Sequence, residues 1–201
     1  MAPKHVNMDL MKAIVVGATG LVGELIVKKL ITHPSVSEIL VFSRRELPFN
    51  DQRLKVHLVD FDKISDWKML IKGDILFSAL GTTLKAAGNK QAQYKVDYEY
   101  QLDIATAGSL NDVKNFVLIS SVNADPCSSF FYLRMKGELE QRVGSLPFKS
   151  LSILRPGPLV GPRHKNRLGE EISISCLKLI PEFLLTPGMR PILANKVATT
   201  A

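Results

Sequence analysis

A glycine-rich turn held between a strand-like run and a helix-like run limits this chain more than any other feature. Residues 12–16 are apolar after the leading lysine, and residues 21–31 carry Leu21, Leu25 and Leu30 at helical spacing. Between the two stands Gly17-Ala18-Thr19-Gly20-Leu21-Val22-Gly23. The pyrophosphate of a dinucleotide needs open backbone N–H groups at a helix N-terminus and no side chains where it approaches, and glycines at a strand-to-helix junction supply both. Gly17, Thr19, Gly20, Leu21 and Val22 are therefore candidate cofactor contacts. The spacing is Gly-x-x-Gly-x-x-Gly, not the Gly-x-Gly-x-x-Gly of the older dinucleotide folds.

The rest of the chain repeats the same alternation. Strand-length apolar runs at 38–42, 54–59, 74–78, 116–119 and 150–154 are separated by helical patterns at 64–71, 90–107 and 131–143. Strands fed by helical crossovers build a parallel sheet covered on both faces, so the predicted fold is α/β, a doubly wound parallel sheet of the Rossmann type with strand order 3-2-1-4-5-6. Arg155-Pro156-Gly157-Pro158 forces a turn after the sixth strand, because two prolines lack ladder donors. Residues 1–160 then form the dinucleotide-binding domain, and 161–201 a small C-terminal appendage on the substrate side of the same domain, with a helix over 170–179.

Composition narrows the class of protein. The chain has 201 residues, 46% of them hydrophobic and 22% charged, and no apolar run approaches the length of a membrane span. Met1 to Lys12 lacks the apolar centre of a secretory signal, which predicts a cytoplasmic enzyme. Cys127 and Cys176 are too few for a disulfide framework, and the four histidines are scattered, so no metal site is expected. The net charge of +7 has one dense source, Arg163-His164-Lys165-Asn166-Arg167, which lacks interleaved aromatics; no nucleic-acid partner is expected. A phosphorylated cofactor is a simpler use for positive charge.

The end of the second strand usually selects the cofactor, an acid there binding the ribose 2′-hydroxyl and a base accommodating a 2′-phosphate. Here it is Ser43-Arg44-Arg45, at the right distance from Gly23, and a guanidinium meets phosphate oxygens in a forked contact. NADP(H) is favoured over NAD(H). Asp60 and Phe61, past the third strand, are placed to border the adenine, and Ala79-Leu80-Gly81-Thr82 closes the fourth strand at the same sheet edge.

Tyr132 and Lys136 are four apart, one turn on one helix face. A lysine ammonium beside a tyrosine favours the phenolate, so the pair can give or take a proton, and the lysine can also hold a ribose. The strand before that helix ends in Ser120-Ser121, and a serine hydroxyl there can hold a substrate oxygen within reach of the tyrosine. A small carbonyl or alcohol is the substrate class that this set serves.

Together the glycine loop, the Ser-Ser strand end, Tyr-x-x-x-Lys and Arg155-Pro156-Gly157-Pro158-Leu159-Val160-Gly161 resemble the short-chain dehydrogenase/reductase superfamily over nearly the whole chain. The glycine spacing and short C-terminal part look like its atypical branch, and Ser120-Ser121-Val122-Asn123-Ala124-Asp125 up to Tyr132 is similar to the HIV Tat-interacting protein 2 (TIP30)-like group. The resemblance implies NADP(H) as cofactor. It also implies Ser121 as the substrate-orienting serine, with Ser120 the alternative, Tyr132 as acid/base, Lys136 as ribose ligand, and Pro156, Gly157 and Leu159 beside the nicotinamide. It departs in two ways. The residues after Arg155 are too few for the lobe that recognises nucleotide sugars in extended members, and the helix-borne asparagine of other members has no counterpart by spacing, Asn89 and Lys95 lying nearest. The group's association with regulatory binding gives a second reading, an NADPH-sensing protein that presents a surface to a protein partner, as a monomer or a homodimer.

Overall fold

In the computed structural model, which describes residues 10–160 and 192–201, β1 (Met11–Val16) leads through the glycine turn into α1 (Leu21–Thr32). β2 (Val36–Ser43), β3 (Leu54–Leu58), α2 (Ile64–Trp67), β4 (Ile75–Ser78), α3 (Leu84–Ala87) and α4 (Lys90–Tyr94) follow. A π-helical turn, Lys95–Glu99, joins α4 to α5 (Tyr100–Leu110). Then come β5 (Asn115–Ile119), α6 (Phe131–Gly144), β6 (Ser150–Leu154), the short β7 (Leu159–Val160) and β8 (Ile192–Leu193), and a C-terminal helix, Ala194–Thr200.

The main sheet is parallel in the order β3-β2-β1-β4-β5-β6, as the alternation predicts. Its central strands β1, β4 and β5 are largely apolar on both faces because both faces are covered, whereas the edge strands β3 and β6 carry polar, partly exposed residues. Ala13 and Val15 point to one side with Ile39, Val41, Val117 and Ile119, under α1 and the C-terminal helix. Ile14 and Val16 point to the other with Phe42, Phe116 and Leu118, where Trp67, Ile104 and Leu139 close the core.

The differences from expectation are local. The long helix expected over 90–107 runs on to Leu110 but is interrupted by the π turn, and α3, built on a Thr83 side-chain cap, precedes it. After the prolines β7 pairs in parallel with β8. At the described end of the C-terminal segment, Ala194, Val197 and Ala198 are buried in the core beneath α1. The helix expected at 170–179, the basic run 163–167 and Cys176 lie outside the described residues.

Candidate functional site

The glycine turn is folded tightly against the end of β4. Gly17 has φ +82°, and a Cβ on it would lie 2.4 Å from the backbone carbon and oxygen of Ala79. A Cβ on Gly23 would lie 2.2 Å from Gly17 O, so the first turn of α1 rests directly on the loop. Gly20 is the N-cap, in extended conformation with no capping side chain, and its N–H donates to Gly17 O at 2.9 Å. The opening of α1 is thus a cradle of backbone donors with an exposed glycine at its lip. Thr19 is half-buried there, whereas Leu21 and Val22 turn their side chains into the core and can offer a ligand only backbone.

At the end of β2, Ser43 is buried and its Oγ accepts the Arg45 N–H at 3.3 Å. Arg44 and Arg45 are exposed, and neither makes an ion pair among the described residues. Asp60 caps the turn after β3, accepting the Asp62 N–H at 3.0 Å, and its carbonyl accepts Trp67 Nε1 at 2.9 Å. The Phe61 ring is buried against Trp67 and Tyr100, so its side chain serves the core and only its backbone is free to border an adenine. Ala79 and Leu80 are half-buried and Gly81 exposed, with Ala79 N–H bonded to Val16 O at 3.0 Å.

Ser120 and Ser121 close β5. Ser120 N–H donates to Leu154 O at 2.8 Å, but its buried Oγ is the one buried side-chain nitrogen or oxygen among the described residues with no hydrogen-bond partner. The half-buried Ser121 hydroxyl donates to Val122 O at 3.3 Å. Val122 N–H reaches Pro156 O at 2.9 Å, which brings Pro156, Gly157 and Leu159 to the same sheet edge.

On α6, Tyr132 is 37% exposed and Lys136 only 2%. Gly137 lets this helix meet the serine loop, since a Cβ there would lie 2.2 Å from Pro126 N. One turn beyond Lys136, the buried Glu140 accepts Arg155 Nε at 3.0 Å on both carboxylate oxygens. That bond, more than the charge attraction, raises the Arg155 guanidinium further above its ordinary value, while burial opposes it. The clamp fixes α6 to the segment leading into Pro156.

The side chain that sequence reasoning missed is Asp97. It is 1% exposed, its Oδ1 lies 3.3 Å from Lys136 Nζ, and its Oδ2 accepts the Thr82 N–H at 2.8 Å. The available signal was a polar line, Gln93, Asp97 and Gln101, at four-residue spacing on a helix; all three are buried. Burial first, then the Tyr98 and Glu138 charges, pushes the Tyr94 phenol up to about 12. Burial and the Asp62 bond push Tyr100 up to about 12 as well.

The sheet order, the cradle at β1–α1 and the residues gathered at the carboxyl edge define a Rossmann-type protein of the atypical short-chain dehydrogenase/reductase class, TIP30-like. Within that class the chain belongs to the HIM1 family, whose family model matches residues 41–186. It is similar to the mitochondrial protein FMP52 of Saccharomyces cerevisiae, 41% identical over 161 residues, which are 78% of this chain and 69% of that protein. It is also similar to HTATIP2 of Rattus norvegicus, 34% identical over 172 residues, 84% of this chain and 71% of that protein. Among solved structures, Bordetella bronchiseptica WbmG in complex with NAD superposes with TM-score 0.66 at 14% identity, over 89% of this chain but 62% of that longer enzyme. The expectation of a cytoplasmic enzyme is corrected by the fungal relatives, which are named mitochondrial. The composition of residues 1–12, on which the cytoplasmic expectation rests, does not separate cytosol from mitochondrion.

The residues present fit a nicotinamide dinucleotide. Gly17 and Gly23 pack the turn backbone-on-backbone, the exposed Gly20 leaves the α1 donors uncovered by any side chain of its own, and the orphaned Ser120 hydroxyl needs a partner, since leaving such a group unpaired costs roughly 1–3 kcal/mol.

Proposed function

We propose that this chain is an NADP(H)-dependent oxidoreductase acting on a small carbonyl or alcohol. The observation that carries the reading is the convergence, at one sheet edge, of an uncapped glycine cradle with a half-exposed tyrosine and a buried lysine on one face of α6. The bound nicotinamide would give or take the hydride. Gly17, Gly20 and the first backbone N–H groups of α1 would hold the pyrophosphate, and Arg44 the 2′-phosphate, with Arg45 beside it. Lys136 would hold the nicotinamide ribose, and Pro156, Gly157 and Leu159 would wall the ring. Ser121 would hold the substrate oxygen while the Tyr132 hydroxyl gives that oxygen a proton in reduction or takes one in oxidation.

Titration of the purified protein with NADPH and NADH, followed by fluorescence, tests the cofactor assignment. NADPH is expected to bind at least about ten-fold more tightly, and Arg44→Ala to lose about ten-fold for NADPH with NADH unchanged, the loss of one charge-assisted contact. Equal affinity for both dinucleotides would remove the Arg44 assignment. Binding of NADPH without turnover of any carbonyl or alcohol would instead favour the cofactor-sensing protein.

We further infer a mitochondrial location, supported by the names of the fungal relatives. Fractionation of cells expressing the tagged protein should recover it with mitochondrial markers; recovery in the cytosol alone would sink the inference.

A further inference from the structure

We propose that Asp97 is the positioning residue for Lys136, acting as a carboxylate shared between α6 and the loop after β4. The inference rests on the cofactor reading of the site given above. Its basis is the pair of bonds that one buried side chain makes to two separate parts of that site. Oδ1 faces Lys136 Nζ at 3.3 Å, and Oδ2 accepts the backbone N–H of Thr82 at 2.8 Å.

Both neighbours of the carboxylate are donors. An amide at this position could accept from one of them only by turning its own NH2 toward the other. Lys136, at 2% exposure, also needs a counter-charge, because a buried ammonium without one is strongly disfavoured. The two requirements select aspartate over asparagine. The residue is itself held from behind: its carbonyl accepts Gln101 Nε2 at 2.8 Å, and Gln101 Oε1 accepts the buried Ser78 hydroxyl at 2.8 Å. Gln93 Nε2 donates to Thr82 O at 3.3 Å, so both the donor and acceptor of the Thr82 backbone are tied to this helix. Space at the carboxylate is closed by Gly81, where a Cβ would stand 3.3 Å from Asp97 Oδ1.

The consequence is a fixed lysine. One of its three ammonium donors is committed to Asp97, which leaves the other two for the ribose that the cofactor reading places at Lys136. The Thr82 bond ties the same carboxylate to the loop after β4, so Asp97 acts on the cofactor through Lys136.

The test is a double-mutant cycle read by NADPH affinity, from the change in nicotinamide fluorescence, with the melting temperature of each protein. Asp97→Asn and Lys136→Met are each expected to bind NADPH at least about ten-fold more weakly. The double variant should bind within about two-fold of Lys136→Met alone, because a residue acting through Lys136 has nothing left to position. Losses that multiply in the double variant would overturn the inference while leaving the cofactor reading intact. A wild-type protein that binds no NADPH would remove both. Should Asp97→Asn fail to fold, Gly81→Ala presses on the same carboxylate with every polar group retained. It is expected to weaken NADPH binding in the wild-type background and not in Lys136→Met; the same loss in both would overturn the role.

Discussion

Phenylalanine in place of Tyr132 is expected to lower turnover of a carbonyl or alcohol by about 10³-fold and to leave NADPH affinity within about two-fold, the range that a positioned acid/base contributes. The substitution removes one hydroxyl from a side chain that is 37% exposed, so no buried hydrogen bond is broken and the fold should be unaffected. Rescue by Tyr94 or Tyr100 is disfavoured. Tyr94 and Tyr100 are both pushed up to about 12, chiefly by burial, and Tyr100 is already bonded to Asp62. Steady-state rates and cofactor titration on the same preparation decide the matter. Equal loss of rate and affinity would make Tyr132 a binding residue, and an unchanged rate would remove it from the chemistry.

What the sequence made legible was whatever depends on local pattern. Gly17, Gly20 and Gly23 could be recognised because a strand, a tight turn and a helix start impose a fixed order of small residues. Tyr132 and Lys136 could be recognised because four residues make one helical turn. The central strands showed themselves as apolar runs because a doubly covered sheet has no polar face there, and the edge strands β3 and β6 as mixed runs.

Tertiary burial was not legible in the same way. Asp97 looks like an ordinary helix-surface acid until α6 packs over it and makes it the counter-ion of Lys136. Phe61 is, with Asp60, an expected adenine contact from the sequence, yet its ring belongs to the Trp67 and Tyr100 cluster. The π turn at Lys95–Glu99 shifts the register of a helix by a fraction of a turn, a displacement that periodicity over one window does not reveal. The cell compartment has no expression in the fold at all.

Alanine at Gly17 and alanine at Gly20 should fail in opposite ways, and the contrast separates the loop as scaffold from the loop as binding site. At Gly17 the backbone is in the left-handed region at φ +82°, which costs an L-residue about 1–2 kcal/mol. The added Cβ would also stand 2.4 Å from Ala79 C and O and 2.6 Å from Leu80 N, all of them backbone. Ala79 cannot retreat easily, because its N–H is bonded to Val16 O at the end of β1. Overpacking of this kind adds about 1–3 kcal/mol, for a total near 2–5 kcal/mol. In a chain of this size that lowers the melting temperature by roughly 4–20 °C. Gly20 is exposed, extended at φ −89°, and its added Cβ would approach Gly17 O at 3.2 Å and Ala79 O at 3.9 Å, distances that a small shift of the loop relieves. Gly20→Ala should therefore melt within about 2 °C of wild type but bind NADPH about ten-fold more weakly, because its methyl group occupies the approach to the α1 donors. A Gly20→Ala protein with wild-type NADPH affinity would show that no pyrophosphate lies in the cradle, and the three glycines would then be explained by the close packing of β1, α1 and β4 alone.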